Sequence, residues 1–191
     1  GRVQCWGDET PTILEEPVGS FVQVQLGNDF ACALDDSGEV TCWGTEGKEP
    51  PAGPFVQLTG QYYFMCGLDE EGLADCWVNH PDWVGTVPPQ NSFRKVGAGY
   101  SHACGLDVHD QIHCWGDNSY GQNDAPNDRF QDVTLGANFS CGLRFDGTYT
   151  CWGEDNEGQI SDQPNMLFEK LVAGYDAVCG IDASQNLTCW G

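Results

Sequence analysis

Cysteine is the residue type whose number and spacing in this chain point to chemistry. Ten of the eleven cysteines form five pairs ten positions apart: Cys32 and Cys42, Cys66 and Cys76, Cys104 and Cys114, Cys141 and Cys151, Cys179 and Cys189. Thiols so spaced either oxidise in pairs or ligate a metal. The one set with a zinc-like mixture of donors is His102, Cys104, His113 and Cys114. Cys104 and Cys114 sit in the slots of the other pairs, so they are read as a disulfide, and no metal and no cofactor is assigned. The acidic runs Asp35–Gly38 and Asp69–Gly72 are far shorter than a calcium-binding loop and are read as turns. No Gly-x-Ser-x-Gly elbow, phosphate loop or His-Glu-x-x-His motif is present. Carboxylates are abundant, but abundance supplies no paired geometry. The chain is read as a non-enzyme.

Charge narrows the partners. Seven Lys and Arg stand against 29 Asp and Glu in 191 residues, a formal charge of −22. Such a chain lacks the cations that displace counterions from nucleic acid or hold an anionic lipid surface. No apolar run approaches a membrane span. Regular cysteine pairs persist in oxidising compartments, so an extracellular, secreted or cell-surface location is expected. No signal peptide opens the chain, which is read as mature or as a fragment.

The elements that must position these cysteines repeat. Cys-Trp recurs at steps of 37, 34, 38, 37 and 38 residues. Eleven residues before the first cysteine of each pair stands Phe21, Phe55, Phe93, Phe130 or Phe168, followed three later by Val24, Leu58, Val96, Val133 or Leu171. A Gly falls six after the Phe in four copies, and Gln61 replaces it in the second. A fixed period of this length is one structural unit in tandem. Each unit reads as a β-hairpin. If Cys32 opposes Cys42, Leu34 opposes Val40, and Asp36, Ser37 and Gly38 are left as a three-residue loop that wants a left-handed last residue. Gly38, Gly72 and Gly147 hold that place, with Asp110 and Gln185 in the other two copies. Opposed cysteines across an antiparallel pair lie within bridging reach. Each tryptophan then points to the face opposite its cysteine, between units.

The stretch from Cys104-Gly-Leu through Cys114-Trp-Gly-Asp-Asn118 to Gly121-Gln122 resembles the repeat of the regulator of chromosome condensation family, as does Cys141-Gly-Leu through Cys151-Trp-Gly to Gly158-Gln159. The lead-in Phe130-Gln-Asp-Val133-Thr-Leu-Gly136 is similar too. The Gly-Gln element is clear in only these two copies. The resemblance implies an all-β propeller, ordinarily of seven blades with four short strands each, and the cysteine staples resemble the family's extracellular branch. It implies no exchange activity at any position here. The units run over about 21–44, 55–77, 93–116, 130–153 and 168–191, preceded by a half repeat at 1–7. Five full repeats and a leading half are read as part of a longer propeller.

Several residues stand outside the repeat as candidates. Cys5 has no mate ten positions away, so it is read as unpaired or bridged externally. Trp83 is the one tryptophan outside the Cys-Trp slot; it and the cluster Tyr62–Tyr63 are candidates for partner contact, against the alternative that each folds onto the body. Asn186 and Asn138 open Asn-x-Ser/Thr acceptor sequences for glycans. The expected function is a non-catalytic extracellular scaffold that meets a protein partner or a neighbouring subunit in a larger glycoprotein or filament. The alternative is a secreted module that inhibits or senses one soluble protein.

Overall fold

The computed structural model describes residues 1–6, 17–44, 49–78 and 87–191. They form five separate three-stranded antiparallel sheets, one per repeat, each in chain order. The first blade is β1 (Phe21–Leu26), β2 (Phe30–Asp35) and β3 (Val40–Gly44). The second is β4 (Gln57–Gln61), β5 (Phe64–Leu68) and β6 (Ala74–Val78), and the third β7 (Phe93–Ala98), β8 (His102–Asp107) and β9 (Ile112–Gly116). The fourth is β10 (Asp132–Leu135), β11 (Phe139–Leu143) and β12 (Tyr149–Gly153), and the fifth β13 (Lys170–Ala173), β14 (Val178–Ile181) and β15 (Leu187–Trp190). Each described sheet has three strands where the family resemblance implied four. The segments that follow Cys-Trp-Gly in the third and fourth repeats run as turns rather than as a fourth strand.

The hairpin register follows from the sequence. Cys32 pairs with Cys42 and Leu34 with Val40, and the four other units repeat the pattern. All five loop-closing residues have positive φ: Gly38 at 88°, Gly72 at 82°, Asp110 at 69°, Gly147 at 83° and Gln185 at 64°. Gly adopts this conformation without cost, and Asp and Gln accept it because the three-residue loop demands it. In four copies an aspartate at the start of the loop caps the turn. Asp35 Oδ1 accepts the amides of Ser37 and Glu39, and Asp107 Oδ1 those of His109 and Gln111. Asp182 repeats this with Ser184 and Asn186, and Asp69 accepts from Leu73.

Blades stack face to face, and the core lies between them. The cysteine face of the first blade (Phe30, Cys32, Leu34) packs on the tryptophan face of the second (Phe55, Leu58, Met65, Trp77). The same junction joins the second blade to the third, the third to the fourth and the fourth to the fifth. Within the fourth blade the lead-in glycine makes room for a core ring: a Cβ on Gly136 would lie 2.0 Å from the Phe139 ring. Backbone bonds lock the step, with the amide of each lead-in phenylalanine donating to the turn residue of the preceding unit. Phe55 reaches Gly38 at 2.8 Å, Phe93 Gly72 at 2.7 Å, Phe130 Asp110 at 2.8 Å and Phe168 Gly147 at 2.9 Å. Phe21 donates in the same way to Gly1, at 2.7 Å. Gly1 thus occupies a hairpin-turn slot four residues before Cys5, as Gly38 does before Cys42. First strands are innermost: β1, β4, β7, β10 and β13 touch in succession. They line a central cavity of about 400 Å³ with Gln25, Gln57, Thr59, Lys95 and Thr134.

Candidate interaction surfaces

The cysteines serve the junctions. Disulfides join Cys32–Cys42, Cys66–Cys76, Cys104–Cys114, Cys141–Cys151 and Cys179–Cys189, with Cα atoms 4.0–4.1 Å apart. Among the described residues no group of three or more His, Cys, Asp or Glu side chains is placed to hold a metal ion. His102 and His113 point to different tasks. His113 Nε2 lies 2.9 Å from Asp107 Oδ2 at the hairpin end. Burial raises the Asp107 carboxyl, but the hydrogen bonds from Gln111, His113 and His109 outweigh it and hold the group below its usual value. His102 is fully buried in the slot filled by Phe30, Phe64 and Phe139 in other blades. Ser140 Oγ donates to the Gln122 carbonyl at 3.1 Å, so the 2.9 Å contact has His102 Nε2–H donating to Ser140. Nδ1 is then an acceptor with no partner among the described residues. Burial pushes the ring's pKa down to about 4, so it is neutral at physiological pH.

The Gly-Gln element has a role that sequence reasoning left blank. Gln122 and Gln159 are buried in the linkers after the third and fourth blades. Their backbone carbonyls accept the indole N–H of the next blade's tryptophan: Trp152 to Gln122 at 2.9 Å, Trp190 to Gln159 at 3.1 Å. The Gln122 side chain holds its own loop, accepting from the Tyr120 amide and donating to Asp117. Trp77 and Trp115 follow linkers without Gly-Gln, and their indole nitrogens have no partner among the described residues.

The turns between first and second strands meet at one mouth of the central cavity. The amide of Asn28 donates to the Tyr62 carbonyl, Tyr100 to Ala137 and Ala137 to Tyr175, which links neighbouring blades there. Asn28, Tyr62, Tyr100, Ala137 and Tyr175 are equivalent positions, four before each blade's first cysteine. The Tyr62 ring stacks on Tyr100 at 4.5 Å, Tyr63 meets Tyr62 edge-on at 4.5 Å, and Tyr175 meets Tyr100 edge-on at 6.4 Å. The Tyr62–Tyr63 cluster named from sequence therefore extends across three blades. Tyr62 holds φ at 56°, uncommon for an aromatic residue.

The two ends of the stack differ from its interior. Val24 is 41% exposed on the tryptophan face of the first blade, whereas Leu58, Val96, Val133 and Leu171 in the same slot are 1–4% exposed. On the cysteine face of the fifth blade Leu187 is 66% exposed. Cys189 there is exposed, while Cys151 in the same slot of the fourth blade is buried. Residues 1–6 lie beside the first blade and enclose with it a cavity of about 580 Å³, which Cys5 helps to line. Trp77, Trp115, Trp152 and Trp190 are buried between blades, but Trp6, at the open end, is 87% exposed. Asn186 is exposed beside its hairpin turn. Asn138 is half-buried, donates to Glu154 at 2.9 Å, and has its Ser140 in the core. Trp83 and Gly7 lie outside the described residues.

A sequence profile of the regulator of chromosome condensation (RCC1) repeat matches residues 21–48, 93–122 and 130–159, three of the five blades. Three of the five blades are thus RCC1 repeats. No curated protein matches it in sequence. Among solved structures, the RCC1-repeat chain is similar to the ectodomain of the Physcomitrella patens receptor kinase CR4, at 31% identity and a TM-score of 0.76, covering 91% of this chain and 54% of that one. It is similar to the CRINKLY WD40 ectodomain of the Arabidopsis thaliana receptor kinase ACR4, at 25% identity and a TM-score of 0.79, covering 98% and 71%. It shares the fold of yeast RCC1 (Prp20), solved bound to Kap60, at 19% identity and a TM-score of 0.73, covering 90% and 56%. The RCC1-repeat chain thus spans just over half the length of the CR4 ectodomain. These likenesses establish the propeller-type, scaffold-like fold; they bring no catalytic group with them.

Proposed function

We propose that the chain is a non-catalytic extracellular propeller module that presents surfaces to a protein partner or a neighbouring subunit. The observation that carries this reading is the disulfide in each described blade, in a fold similar to that of two receptor-kinase ectodomains. Bridges this regular form in an oxidising compartment. The exposed cysteine face of the fifth blade, centred on Leu187, receives a tryptophan face like those that cover the four blades before it. That blade comes from a longer propeller or an adjoining subunit, which makes the described blades one arc of a larger assembly.

The test is made on the natural protein. Thiol labelling before reduction leaves the ten paired cysteines unreactive, labelling after reduction reaches them, and the protein is found in the medium or on the cell surface. Glycosidase treatment removes a glycan from Asn186, which is exposed, and none from Asn138, which is tied to Glu154. Recovery from the cytosol with reactive thiols at the ten positions overturns the reading.

A further inference from the structure

We propose that the tyrosine face at the mouth of the central cavity, formed by Tyr62, Tyr100 and Tyr175 and flanked by Asp29 and Asp176, docks a cationic segment of a partner protein. This deepens the interaction-module reading and rests on it. Packing does not require the rings. The same slot holds Asn28 in the first blade and Ala137 in the fourth, and both turns make the same kind of inter-blade backbone bond as the tyrosine turns. The rings are not an inner plug either, since Tyr175 is 53% exposed. Tyr62 keeps its ring in the stack at the cost of a left-handed backbone, of order 1 kcal/mol.

Charge selects the occupant. Burial raises the Tyr63 hydroxyl's pKa, and the charge of Asp29 raises it further. Burial also raises Asp176, with repulsion from Glu154 and Glu157 adding to the shift. Among the described residues none of these four carboxylates has an ion pair. Arg94 and Arg129 are spent on Asp110, and Arg144 on Asp128, at the opposite, hairpin-turn end of the blades. An arginine or lysine laid over the rings meets both the negative face of the tyrosines and the uncompensated carboxylates. Tyrosine is also a residue type over-represented among the strongest contacts of interfaces.

Titration of the oxidised protein with a fluorescein-labelled octa-arginine peptide at 0.15 M salt, followed by anisotropy, tests the site. Tyr175→Ala and Asp176→Asn are each expected to weaken binding about fivefold or more. Tyr175→Phe keeps the ring, and Asp36→Asn removes one charge at the far end; both stay within about twofold of wild type. Circular dichroism of each variant verifies the fold. Equal losses for Asp36→Asn and Asp176→Asn mean diffuse attraction to the net charge and overturn the site, as does no effect of Tyr175→Ala or no binding at all. If the natural protein is extracellular and oxidised yet the peptide fails, only this site falls and the module reading stands.

Discussion

His102 shows how one side chain departs from its repeat. Three other blades fill its slot with phenylalanine, and among the five blades this slot carries a titratable ring only here, satisfied at Nε2 by Ser140. Its folded pKa of about 4 lies below the ordinary 6.5. Above pH 6.5 the ring is neutral in folded and unfolded chains, and its contribution is fully present. As pH falls from 6.5 to 4 the unfolded chain takes up a proton that the folded chain refuses, and stability is lost. The loss reaches about 3 kcal/mol by pH 4. His102→Phe, which copies the residue of the other blades, removes this dependence. Denaturant titrations from pH 7 to pH 4 are expected to show wild type losing up to about 3 kcal/mol relative to the variant. A constant difference across that range would show that the ring titrates normally in the folded state.

At the scale of the element, each hairpin is closed by its disulfide and its capped turn, and each linker is closed by what it offers the next blade. Gln122 fixes the loop that presents its carbonyl to the Trp152 indole and the Ser140 hydroxyl. Gln122→Ala removes the bonds from the Tyr120 amide and to Asp117 that hold this loop, which costs about 1 kcal/mol. The Trp152 indole proton then exchanges faster, while that of Trp115, which has no such carbonyl partner among the described residues, is unchanged. Hydrogen exchange followed by NMR reads both protons. Slowed or equal exchange at Trp152 would mean that the loop is held by something other than the glutamine.

For the whole molecule the decisive feature is that one junction is used four times, while among the described residues the two end faces are less covered. A face that is less covered contributes less burial, so the cost of trimming it is smaller. Val133→Ala, inside the third junction, is expected to cost about 1–3 kcal/mol, and Val24→Ala, in the same slot of the first blade, under about 0.5. Thermal unfolding of the two variants checks the contrast. Equal losses would show that residues 1–6 cover the first blade as fully as a blade covers its neighbour.

Much of this was legible in the residues themselves. Hairpin register, turn positions and disulfide pairing are local: Cys32 and Cys42 are ten residues apart, the period-two alternation of a strand puts both on one face, and the left-handed turn residue follows from loop length. Even Asp110 and Gln185 reveal their conformation by standing in the glycine slot. Other properties needed segments brought together from 30 or more residues apart. The stacking of Tyr62 on Tyr100, the capture of the Trp152 indole by Gln122, and the contrast between Val24 and Val133 depend on which face meets which. A repeat writes the same pattern in every copy, and only the stacking of copies decides which faces are buried and which remain open to a partner.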